Sequence, residues 1–160
     1  MQKITILCVG KLKEAFYKEA AAEYKKRLSR YCQAEILELP EKPLPDAPSL
    51  SQIRQALAAE AELIRSKLPS NAYLIALCIE GQQMSSEELA QKMEKLALEG
   101  KSHLVFLIGG SFGLDNGLKQ QADLHLSLSP MTFPHHLARV ILLEQLYRGF
   151  QIQEGGSYHK

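Results

Sequence analysis

Long apolar runs, cysteines and net charge are all scarce in this sequence, and each shortage removes a class of protein. No uninterrupted apolar stretch approaches the roughly 20 residues a membrane-spanning helix needs, so no membrane partner is expected. The opening, Met1 to Val9, alternates like a strand and lacks the small-residue cleavage site of a secretory signal, which predicts a cytoplasmic protein. The three cysteines, Cys8, Cys32 and Cys78, have neither metal-ligand nor redox spacing; reduced thiols and no metal site are expected. A formal net charge of +1 argues against wrapping nucleic acid by bulk electrostatics. Two nucleotide signatures are missing as well. The glycines at 109, 110, 113 and 117 do not have dinucleotide-fingerprint spacing, and no Lys-Ser or Lys-Thr closes them into a P-loop.

What is present is ordinary for a globular chain: 46% hydrophobic and 23% charged residues, without repeats or low-complexity tracts. The 160 residues suit one domain, residues 1–160, around one core. Strand and helix patterns alternate. Strands are expected at Lys3 to Val9, Ala34 to Leu39, Ala72 to Ile79, Leu104 to Ile108 and Leu124 to Leu126. Phe16, Ala20, Tyr24 and Leu28 recur every fourth residue, and Ile53, Leu57, Ile64 and Leu68 mark a second amphipathic helix. Ser85 and Glu88 have capping-box spacing ahead of Leu89, Met93 and Leu96. A short helix is expected near Asp115 to Gln121, and a last one from Pro134, in its first turn, to about Phe150. Four prolines between 40 and 48 exclude regular structure there. This order predicts an α/β fold, a largely parallel sheet with helices on both faces.

Ligands of such sheets bind outside the carboxyl ends of the strands. Gly109-Gly110-Ser111-Phe112-Gly113 and Leu128-Ser129-Pro130-Met131-Thr132-Phe133-Pro134 each follow a strand, so a crevice across these two loops is expected. By themselves the glycines fit a tight turn as well as a ligand loop. From Lys11 to Arg30 there are seven basic residues and three acidic ones, a pattern first of all of a solvated helix face, with a phosphate-contacting surface as the alternative. The last helix is apolar nearly all round, which calls for burial either in a homodimer interface or beneath the sheet. His135 and His136 open that helix, where a histidine more often caps or packs than catalyses. Arg139 is open to an ion pair with Glu144, a partner chain or a supporting role at the crevice.

The runs Phe106 to Leu114, Leu126 to His135 and Arg139 to Arg148, with the Tyr158-His159 tail, resemble the bacterial ribosomal RNA large subunit methyltransferase H family. That family is of the SPOUT class, and the resemblance extends along the whole chain. It implies a C-terminal trefoil knot, S-adenosyl-L-methionine as cofactor and a homodimer. It also implies methylation of N3 of a pseudouridine in helix 69 of 23S rRNA within the assembled 70S ribosome. Matched position by position, it places cofactor contacts at Leu77, Gly109 and Leu128, Ser129, Pro130, Met131, Thr132 and Phe133. It assigns the chemistry to Arg148, Tyr158 and His159, with the tail of one subunit reaching the cofactor of the other. Two other classes are compatible with the loops: a non-catalytic ribosome-binding module that keeps the pocket, and a small NAD- or ATP-binding enzyme, against which the missing fingerprints speak.

Overall fold

The computed structural model covers residues 1–160. Its five strands are β1 (Lys3–Val9), β2 (Gln33–Leu39), β3 (Tyr73–Gln83), β4 (His103–Ile108) and β5 (Leu124–Ser127). They form one sheet in the order β2-β1-β4-β3-β5, every pair parallel. The helices are α1 (Ala15–Leu28), α2 (Leu50–Lys67), α3 (Ser86–Leu98), α4 (Asn116–Gln121) and α5 (His135–Gln153).

Period-two alternation divides each central strand between two cores. Ile4, Ile6 and Cys8 of β1, with Leu104, Phe106 and Ile108 of β4, pack against residues of α1, α3 and α5. Leu7, Val9, Val105 and Leu107 point to the opposite face, where Ala61 and Ile64 of α2 and Leu118 of α4 cover them. Both faces are therefore apolar, as a parallel sheet requires. Cys8 and Cys32 are buried in this packing and all three thiols are free.

Local signals explain where elements begin. Ser85 accepts from the Glu88 amide while the Glu88 carboxylate accepts from the Ser85 amide, the reciprocal box its sequence predicts. Ser49 and Gln52 do the same for α2. The proline-rich segment after β2 is irregular, and the buried Glu60 carboxylate anchors it by accepting from the Lys42 amide at 2.8 Å.

Three features depart from the sequence reading. Strand β3 continues to Gln83, with a register shift against β5 between Leu77 and Gln82. Gly81 permits this crossing, since a Cβ there would lie 2.7 Å from the His125 carbonyl carbon. Pro134 is the N-cap of α5 rather than part of its first turn, and the helix runs to Gln153. Phe16, expected on the apolar stripe of α1, is 63% exposed, while the Glu14 carboxylate at the N-cap lies 3.9 Å from His136 and Glu23 pairs with Arg27 at 3.0 Å. No helix is long and apolar enough to cross a membrane.

Candidate active site

With all strands parallel, every carboxyl end lies on the same edge of the sheet, and the expected crevice opens there. A cavity of about 740 Å³ is enclosed by the ends of β3, β4 and β5 and the start of α5. That is the size of a site for a small organic molecule. Leu77 forms one wall, Gly109 to Leu114 a second, and Leu128, Ser129, Met131, Thr132 and Phe133 a third. Seven of the eight residues expected at the cofactor thus line one space; Pro130 is exposed and does not.

Backbone geometry shapes the glycine wall. A Cβ on Gly109 would lie 2.3 Å from the Gly113 carbonyl carbon, so the loop folds on itself only because residue 109 has no side chain. Gly113 takes φ +81, the left-handed region that favours glycine. In the third loop the Ser129 hydroxyl accepts from the Met131 amide at 2.9 Å, and the Ser127 hydroxyl donates to the Ser129 carbonyl at 3.1 Å. Met131 and Phe112 stay exposed at the rim.

Several lining groups escaped sequence reasoning because they come from unrelated elements. Glu80 on the extension of β3 pairs with Lys119 of α4 at 2.8 Å, placing opposite charges on an otherwise mostly apolar wall. His135 also lines the cavity; burial, and then the neighbouring His136, lower its pKa and favour a neutral ring. Behind the glycine loop, Glu41 of the proline-rich segment accepts from the Ser111 amide at 3.0 Å.

Arg139 does not meet Glu144. It is buried beneath the loop that follows β1, donates to Glu38 at 2.6 Å and reaches the Gly10 carbonyl at 3.2 Å. This pair joins the second turn of α5 to the end of β2. Glu144 serves instead as the centre of a second cluster. Its carboxylate accepts from Arg148 at 2.8 Å and from the Tyr158 hydroxyl at 2.9 Å. Arg148 also lies over the Tyr158 ring, 4.8 Å from its centroid, and 3.1 Å from His159 Nδ1. The other nitrogen of that imidazole meets Glu87 at 2.7 Å. Burial and the Glu144 carboxylate push the Tyr158 phenol up to about 12, so it is protonated and a donor at neutral pH.

The structure therefore brings Arg148, Tyr158 and His159 together but away from their own chain's cavity, which none of them lines. Ala138 is at the cavity and Arg148 stands ten residues further along α5, a rise of roughly 15 Å.

Comparison with known proteins agrees with this architecture. A family model described as a predicted SPOUT methyltransferase matches residues 2–159. The chain is 51% identical over 158 residues to a protein of Acetivibrio thermocellus named ribosomal RNA large subunit methyltransferase H, covering 99% of each. Proteins of the same name from Bifidobacterium adolescentis and Streptococcus equi subsp. equi are 49% and 46% identical over 158 residues, again covering 99% of both chains. Close identity along the full length, with the strand-end pocket in place, makes this chain a member of the SPOUT methyltransferase family, of the ribosomal RNA large subunit methyltransferase H type.

Proposed function

We propose that the protein transfers a methyl group from S-adenosyl-L-methionine to 23S rRNA, at N3 of a pseudouridine in helix 69 of assembled ribosomes. The observation that carries this reading is the cavity at the strand ends, built from the residues that match the family's cofactor positions. Its chemistry fits the cofactor. Leu77, Leu128 and Phe133 offer apolar surface to a purine, the glycine loop lets main chain approach closely, and Glu80 and Lys119 are the only carboxylate and ammonium groups on the wall. When bound, S-adenosyl-L-methionine supplies an electrophilic methyl on a sulfonium sulfur.

The protein's own tasks are then to align the base, exclude water and take up one proton. The nucleophile is an imide nitrogen that begins protonated, so its N–H bond must break as the new C–N bond forms. His159 accepts that proton, directly or through a water, once its Nδ1 has left the Arg148 guanidinium from which it accepts at 3.1 Å. Arg148, whose pKa is raised by the Glu144 carboxylate, stays cationic and offsets charge developing on the imide oxygens. Tyr158, a neutral donor, hydrogen-bonds to the base or stacks on it.

These three groups serve the cavity of a second copy. The rise along α5 separates them from their own cavity, and the same helix keeps Leu137, Val140 and Ile141 only part-buried despite their apolar character. Phe16 is 63% exposed on the adjacent α1. A homodimer that buries this surface and exchanges tails satisfies both observations. The trefoil threading of the C-terminal segment, expected of the family, would bring the three cavity loops together.

The test is transfer of labelled methyl from S-adenosyl-L-methionine to ribosomes from a strain lacking the modification, with the nucleoside identified by mass. Label on N3 of a pseudouridine is expected. Cofactor binding without transfer would instead support a non-catalytic ribosome-binding module.

A further inference from the structure

We propose that Lys11 and Lys13, on the loop between β1 and α1, grip RNA phosphates beside the cavity and set where the target base enters; the inference rests on the rRNA reading above. In the sheet β1 is the neighbour of β4, so the loop after β1 emerges alongside the glycine loop. Contact between this loop and the site is direct. Gly10 takes φ +104 against His135, a cavity residue, and a Cβ there would lie 3.1 Å from the imidazole Cε1.

The loop is also held rigidly from below. The Gly10 amide donates to the Leu39 carbonyl at 2.7 Å, the Leu12 amide donates to Glu38 at 3.0 Å, and Arg139 donates to the Gly10 carbonyl. Leu12 is buried between the two lysines, both of which are exposed. Three carboxylates lie near the loop, and each has another partner: Glu38 pairs with Arg139 at 2.6 Å while also feeling the charge of Lys11, Glu14 lies 3.9 Å from His136, and Glu41 accepts from the Ser111 amide at 3.0 Å. Two exposed cations that form no salt bridge, on a fixed loop beside a methyl-transfer pocket, match a polyanionic backbone. Phosphate contacts of this kind position a nucleic acid without reading its sequence. They also reconcile a net charge of +1 with an RNA substrate, because the positive charge is local.

The experiment compares the wild-type protein with Lys11→Gln/Lys13→Gln and with the charge-preserving Lys11→Arg/Lys13→Arg. Ribosome binding and methyl transfer are measured between about 50 and 200 mM salt, with calorimetric S-adenosyl-L-methionine binding and thermal melting as controls. Each lost contact to a single strand removes about 0.7 from the salt slope of affinity. The glutamine variant should therefore bind roughly tenfold more weakly near 0.15 M, with KM raised, kcat retained and the slope shallower by about 1.4. Cofactor affinity and melting should stay at wild-type values, and the arginine variant should keep ribosome binding. A glutamine variant with wild-type KM and slope overturns the inference. A wild-type protein that binds ribosomes but transfers no methyl overturns the proposed activity instead, while the binding comparison still decides the lysines.

Discussion

Substituting Glu38 with Ala tests how the cavity side of the fold is tied together. Arg139 is 2% exposed, its Nε has no partner, and its charge is answered by Glu38 and the Gly10 carbonyl alone. Removing one member of a buried ion pair typically costs 3–5 kcal/mol, because the survivor keeps its desolvation penalty. The Glu38 side chain is 31% exposed, which lowers the expectation to about 3 kcal/mol. For 160 residues that corresponds to a fall in Tm of roughly 6–12 °C. Arg139→Met is predicted to cost less, about 1–2 kcal/mol, since the carboxylate left behind can turn to water and still hold the Leu12 amide. The double variant should cost less than the sum of the two. The pH dependence has a definite sign. Although burial alone would raise the Glu38 carboxyl, the Arg139 and Leu12 hydrogen bonds and the Arg139 charge bring it below its ordinary value. Its contribution is thus complete above the unfolded pKa of about 4 and disappears as pH falls through the folded value. The gap in Tm between wild type and Glu38→Ala should therefore persist from pH 7 to about 5 and close in more acid solution. Thermal melts at one fixed protein concentration measure this, since self-association also moves Tm. A Glu38→Ala protein melting within about 2 °C of wild type, or an Arg139→Met protein less stable than Glu38→Ala, would refute the account.

Gly109→Ala should force the glycine loop outward and reduce S-adenosyl-L-methionine affinity at least tenfold by calorimetry; Gly113→Ala, which meets nothing within 4 Å and suffers only backbone strain, should lose less. Tyr158 should titrate near 12 in an ultraviolet titration, and because its folded pKa is raised, the stability it adds is complete below about pH 10 and lost as pH rises from there. Glu144→Gln should return that titration towards the ordinary tyrosine value; no movement would show that burial alone sets it. His159→Ala should slow single-turnover transfer at least tenfold with cofactor binding unchanged, and an unaltered rate would remove His159 from proton transfer.

The sheet and its helices were legible because their signals are local and periodic. The eight-residue apolar run at Ala72 to Ile79 and the Ser85/Glu88 box specify a buried strand and a helix start without reference to distant residues. The end of β3 was not legible: Glu80-Gly81-Gln82-Gln83 is polar, and only the crossing with β5 makes it a strand. At the cavity, the glycine loop could be located by its residues, but the wall it forms with Leu77 and Leu128 exists only once strand order is known. Glu80–Lys119, Glu41–Ser111 and Glu38–Arg139 join residues 39, 70 and 101 positions apart, and no spacing rule announces such pairs. Arg139 is an example: its sequence context left Glu144, a partner chain or a supporting role at the crevice open, and tertiary packing gave it Glu38.

The length of α5 has a genetic consequence. One end of this helix borders the cavity and the other carries Arg148 and leads to the tail, so in a tail-exchanging dimer each working site draws on two chains. A lesion in the cavity and a lesion in the tail, carried on separate polypeptides, should then complement. The mixed dimer assembles one site from two undamaged halves and concentrates both defects in the other. With random pairing, half of the dimers are mixed and about a quarter of all sites function, although each parent protein is inert.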